Sequence, residues 1–134
     1  MPPKYFVKKW DEVTASPHPE DPYFGTTFKL VGRDLGAKYF VLNMTIMKPG
    51  EKIPIHSHPA AEEVHVLLSG KSTLTVEGKK IKAEAITAFR FPPGLHYGLV
   101  NDSKKDATWM FVAAPTDEYD ALYAKKFGDK KKKK

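Results

Sequence analysis

The sequence has no cysteine, which excludes disulfides, thiolate metal ligands and cysteine nucleophiles together. It also lacks any apolar run long enough to cross a bilayer, and its first ten residues, MPPKYFVKKW, lack the apolar stretch of a secretory leader. The expectation is a cytoplasmic protein with no membrane partner. An excess of charge of one sign is scarce once a single block is set aside. The formal charge is +6, and the five lysines at 130–134 supply nearly all of it, leaving the rest of the chain close to neutral. Such a block reads as a solvated basic tail, assigned here to 129–134. No interleaved aromatics and no recognition helix accompany it, so a specific nucleic-acid partner is not expected. With 134 residues, of which 41 % are apolar and 12 % aromatic, the chain is sized for one domain with a real core.

What is present falls into four stretches. Residues 1–37 form an N-terminal segment that begins proline-rich; "TASPHPEDPYFG" reads as a surface loop, and His18 within it as a loop residue. Residues 38–114 carry most of the short extended runs. With 26–31 they are 38–47, 53–58, 64–68, 72–76, 80–83, 86–91, 97–100 and 108–113, broken by Ser69-Gly70, Glu77-Gly78, Pro92-Pro93-Gly94 and 101–106. About nine short strands spaced in this way predict an all-β sandwich or barrel. "LTVEGKKIKA" is the clearest hairpin, with Glu77-Gly78 between two alternating strands. Residues 115–128 predict one short C-terminal helix: Thr116 suits its cap, Asp117 and Glu118 its positive end, Lys125 and Lys126 its negative end, and Gly128 its stop. Tyr119, Leu122, Tyr123 and Lys126 recur at helical spacing, a packing stripe.

The chemistry concentrates in "GEKIPIHSHPAAEEVHVLLSG", residues 50–70, which holds three of the five histidines. His56 and His58 alternate along an extended segment, so their imidazoles share one face, with the Cα atoms about 7 Å apart. Glu63 follows the turn and can return a carboxylate to the same point, whereas Glu62 has the opposite parity. Two neutral imidazoles and a carboxylate suffice to hold a divalent ion with open positions. Three residues compete for a fourth place. His96 follows a turn stiffened by Pro92 and Pro93, Tyr97 is its neighbour, and His65 shares the parity of Glu63.

These residues give the chain its resemblance to the cupin superfamily. Gly50, His56, His58, Glu63 and Gly70 meet the first cupin motif at permitted spacings. The second motif is met by Pro92, Gly94 and Asn101, but Ile86 stands where it has glycine, and Tyr97 where it has histidine, with His96 one place early. The resemblance covers roughly residues 38–114. It implies an antiparallel jelly-roll barrel, often a homodimer, binding one Fe, Mn, Ni, Cu or Zn ion and acting on a small organic molecule. Carried onto this chain, it assigns His56, His58 and Glu63 to the metal; for the fourth place His96 is favoured over Tyr97 and His65, which leaves His65 or Tyr97 to move a proton beside a small-molecule substrate. Phe40, Phe89, Phe91, Trp109 and Phe111 are candidates for the cavity wall. The expected function is a metal-dependent enzyme, first an oxygen-dependent dioxygenase. The alternatives are a non-redox lyase, isomerase or decarboxylase, and a non-catalytic small-molecule binder. A homodimer is expected also from residues 38–47, where Phe40, Leu42, Met44 and Ile46 lie on one parity and Val41 and Met47 on the other, so that both faces seek cover.

Overall fold

The computed structural model describes residues 7, 9–13, 15–16 and 25–115. His18, the helix expected from Thr116 and the lysine tail lie outside them. Among the described residues ten strands alternate with turns: β1 (Ala15–Ser16), β2 (Thr26–Val31), β3 (Val41–Met47), β4 (Lys52–His56), β5 (Glu62–Ser69), β6 (Lys71–Val76), β7 (Lys79–Glu84), β8 (Thr87–Phe91), β9 (Tyr97–Val100) and β10 (Ala107–Ala114). All pairings are antiparallel. One sheet has six strands in the order β1-β2-β3-β10-β5-β8, the other four in the order β4-β9-β6-β7. This is the expected all-β jelly roll.

From β3 to β6 each strand lies in the other sheet from the one before it, and that places the chemistry. β4 belongs to the small sheet and β5 to the large one, so residues 57–61 cross the barrel between His56 and Glu63. β5 and β6 likewise lie in different sheets, and Gly70 makes that corner. Its φ is +86°, and a Cβ there would stand 2.6 Å from the Asp106 carbonyl oxygen, so no larger residue fits.

The inner faces of both sheets supply the core. Met47, Leu67, Phe91, Trp109 and Ala107 from the large sheet meet Leu74, Ala83, Tyr97 and Leu99 from the small one. Each fully buried large side chain of this kind contributes about 1.5–3 kcal/mol. A smaller cluster of Val41, Ala61 and Ala113, with Phe111 against it, lies beside it. Strand alternation settles the two parities of β3. Val41, Asn43 and Met47 are buried on the inner face, opposite Ala113, the partly buried Phe111 and Ala107. Leu42, Met44 and Ile46 take the outer face, where Met44 is itself buried and Leu42 and Ile46 are half-buried. There Phe28, Met44, Met110, Val66 and Ala88 are successive cross-strand partners over five strands. Phe40, a candidate for the cavity wall, precedes β3 and is 43 % exposed; the chain has not yet entered the sheet there.

Asn101, the asparagine of the second motif, is structural. It is fully buried; its amide donates to the Met47 and Lys105 carbonyls at 2.8 Å each, and its Oδ1 accepts from Ser103. The side chain closes the loop between β9 and β10 onto the end of β3.

Candidate functional site

Glu63 sits at the centre of the site. It lies near the start of β5 with its side chain directed into the barrel, only 2 % exposed, while its neighbour Glu62 points outward and pairs with Arg90. A buried carboxylate is costly unless its oxygens are satisfied, and here Oε1 takes two partners. The Tyr97 hydroxyl donates to it at 2.6 Å, and His65 Nε2 lies 2.9 Å away. An ionised carboxylate can only accept, so Nε2 of His65 carries a proton. The phenol oxygen and His65 Nε2 are themselves 3.1 Å apart, which closes a triangle of three titratable groups. Burial by itself would raise the Glu63 carboxyl. The hydrogen bond and charge of His65, the Tyr97 hydroxyl and the charge of His58 outweigh it and hold the group below its ordinary value of 4.5.

The second carboxylate oxygen, Oε2, faces His58. His58 is buried, and its Nε2 stands 3.8 Å from Oε2, too far for a hydrogen bond. His56 closes the group. It ends β4, pairs across the sheet with Tyr97 and packs on that ring at 4.6 Å, while its own ring meets that of His58 edge-on at 4.8 Å. Nδ1 of His56 lies 2.9 Å from the Pro54 carbonyl oxygen. A carbonyl can only accept, so Nδ1 is protonated and Nε2 carries the lone pair, the tautomer that a ligating histidine requires. Gly98 lets β4 and β9 come this close: a Cβ on it would lie 2.8 Å from the Ile53 carbonyl oxygen.

His56, His58, Glu63, His65 and Tyr97 are thus brought together, whereas His96 is not. Its side chain is 64 % exposed, with Nδ1 3.5 Å from Glu77 Oε2 on the barrel's outside. Strand parity is the reason. Tyr97 is the inward residue that opens β9, opposite His56 and Val76, so the residue before it projects outward. The ligand set that included His96 is corrected on that point, and Tyr97 occupies the inward position. Strand β4 also stops at His56, not at His58 as alternation suggested. His58 reaches the interior from the crossing segment, with its carbonyl accepting the Gly94 N–H at 2.9 Å.

A divalent ion would find suitable donors here. Nε2 of His56, Nε2 of His58 and Oε2 of Glu63 are two imidazole nitrogens and an ionised oxygen, a set common to first-row metals. The 3.8 Å between His58 Nε2 and Glu63 Oε2 is slightly longer than the roughly 3–3.5 Å between two ligands that share one ion at about 2 Å. Among the described residues, no three histidine, aspartate or glutamate side chains already close on one point as a metal-binding group. Aromatic rings surround His65: Phe111 at 4.7 Å, Phe91 at 5.2 Å, Tyr97 at 5.3 Å and Trp109 at 6.3 Å between centroids. Phe89 packs on Phe91 and Trp109. Two contributors were not legible as such in the sequence: the Pro54 carbonyl, which is backbone, and Glu77, which reads only as a turn residue.

Residues 43–113 match the family model described as a cupin domain. A polyketide synthase, CurC, from Streptomyces cyaneus is 26 % identical over 81 residues, which are 60 % of this chain and 53 % of that protein. The chain therefore spans about half the length of that curated relative. Similar solved structures include a predicted oxalate decarboxylase from Thermotoga maritima, with a TM-score of 0.73 and 18 % identity, covering 82 % of this chain and 99 % of that one. The polyketide cyclase RemF from Streptomyces resistomycificus gives a TM-score of 0.71 at 23 % identity, covering 81 % and 78 %. KdgF from Halomonas sp. gives 0.67 at 17 %, covering 84 % and 94 %. At these identities the likeness speaks for the fold.

Proposed function

The chain belongs to the cupin family, and on that premise we propose that it is a metal-dependent enzyme moving protons on a small enolisable or phenolic substrate, a non-redox lyase, isomerase or cyclase. The observation that carries this reading is the triangle on Glu63, where a phenol and an imidazole share one carboxylate oxygen and all three side chains are buried inside the barrel. Three coupled titratable groups in an apolar enclosure are the equipment of acid–base catalysis. Tyr97 holds its proton against the ionised Glu63, with His65 beside it. The ionised Glu63 can take a proton from one substrate atom, and Tyr97 or His65 can return one at another. Phe91 and Phe111, packed around His65, exclude water and offer flat faces to a planar molecule.

His56, His58 and Glu63 would hold the divalent ion, whose contribution is to polarise a substrate oxygen. Two of the similar proteins carry polyketide-related names, CurC and RemF. Polyketide chains are rich in enolisable carbonyls, which supports the same substrate class here.

A second reading has its own observation. With His96 on the surface, the protein donors number two histidines and one carboxylate, the arrangement of non-haem iron sites that leave positions open. That favours the oxygen-dependent dioxygenase.

Loading the purified protein with iron, manganese or zinc and offering β-dicarbonyl and phenolic compounds in D2O tests both. Exchange or rearrangement without oxygen uptake, lost in Tyr97→Phe and His65→Ala, is the expected result. Oxygen consumption would favour the second reading, and ligand binding without turnover would make the protein a binder.

A further inference from the structure

Glu77 is locally misplaced. The two-residue connection Glu77-Gly78 joins β6 to β7, with Val76 and Lys79 as the closing pair. Both turn residues have positive φ, 47° and 83°, as a type I′ hairpin requires. Glycine suits that region, and asparagine or aspartate enter it readily, but a glutamate gains nothing there from its own backbone. Among the described residues it is the only non-glycine with positive φ.

Its length supplies reach. Glu77 Oε2 accepts the backbone N–H of His96 at 2.7 Å, and the Glu77 N–H donates to the His96 carbonyl at 3.0 Å. Both main-chain groups of residue 96 are therefore tied to residue 77. The His96 ring lies against the same carboxylate oxygen at 3.5 Å. At the other end of this loop, the Gly94 N–H is tied to the His58 carbonyl. Residues 92–96 are thus strung between His58 and Glu77, and the next residue is Tyr97, whose hydroxyl must land on Glu63 Oε1.

We propose that Glu77 is a positioning residue for Tyr97: from outside the barrel its carboxylate fixes residue 96, and so sets where the phenol stands against Glu63. The inference deepens the proposed function, since it rests on Tyr97 as a working group of the site. It also gives His96 a role that is not metal binding, as the residue through which the anchor acts.

Turn chemistry supplies the controls. Asn and Gly at position 77 suit the hairpin better than Glu but cannot reach residue 96, whereas Gln can still accept its N–H. The probe is the protein labelled with [13Cζ]tyrosine, the Tyr97 signal being the one lost in Tyr97→Phe. Glu77→Asn and Glu77→Gly should melt cooperatively near the wild-type temperature, yet shift the Tyr97 signal toward that of free tyrosine. Glu77→Gln should leave it in place. A Tyr97 signal unmoved in both Asn and Gly variants would overturn the proposal. So would a Gln variant shifted as far as Asn, or loss of the fold in both Asn and Gly variants, which would make residue 77 a fold determinant. The readout needs neither metal nor substrate, so the anchor and the proposed reaction fail separately.

Discussion

The Tyr97 hydroxyl donates to Glu63 Oε1 at 2.6 Å across 34 residues of sequence, joining the first strand after the histidine crossing to the strand that follows the rigid proline turn. Two sheets meet in this bond, since β5 belongs to the large sheet and β9 to the small one. Removing the hydroxyl therefore tests fold and site at once. Tyr97→Phe keeps the ring against His56 and Phe91 but leaves Glu63 with one donor fewer in a buried place. A hydrogen bond to a charged group contributes about 1.5–3 kcal/mol, so urea denaturation should show a loss of that order. A loss under about 0.5 kcal/mol would mean that the bond is replaced or absent.

The same carboxylate sets a pH dependence. Glu63 titrates below its ordinary 4.5 in the folded protein, so the unfolded chain takes up its proton first as pH falls. Its contribution to stability is complete above that ordinary value and is lost as pH drops through the lowered folded value. Melting temperature should fall on acidification below about pH 4.5, and the Glu63→Gln variant should lose this component of the slope. An unchanged acid slope in that variant would show that other groups carry it.

The outer face of the six-stranded sheet predicts association. Phe28, Met44, Met110, Val66 and Ala88 run across it as cross-strand partners, and Val64 and Leu68 of β5 are 37 % and 38 % exposed. A second copy packed there would give the homodimer expected from the two parities of β3. Light scattering at micromolar concentration should report a dimer, and Val64→Glu with Leu68→Glu should shift it to monomer. A wild-type monomer would count against the packing.

Much of this was legible because β structure has a period of two. Alternation and turn residues located nine of the ten strands within a few residues, and β2 and β9 at the bounds observed. The cluster at 50–70 was legible because imidazoles and carboxylates seldom crowd so closely without a task. What failed is also a matter of parity. His96 and Tyr97 are adjacent, so one must face inward and the other outward, and composition favoured the histidine. The deciding facts are long-range: Tyr97 pairs with His56 on one side and Val76 on the other, and Glu77 holds His96 outside. Neither register nor a side chain reaching from a hairpin 19 residues away leaves a mark in local sequence.

As proposed, His56, His58 and Glu63 would hold a divalent ion, while Tyr97, not His96, faces the site. Cobalt titration followed by visible absorbance tests this arrangement most directly, because the bands report both stoichiometry and coordination. One equivalent per chain is expected for the wild type, His96→Ala and His65→Ala, none for His58→Ala, and an altered spectrum for Tyr97→Phe. Loss of cobalt binding in His96→Ala with retention in His58→Ala, or no binding by the wild type, would contradict it.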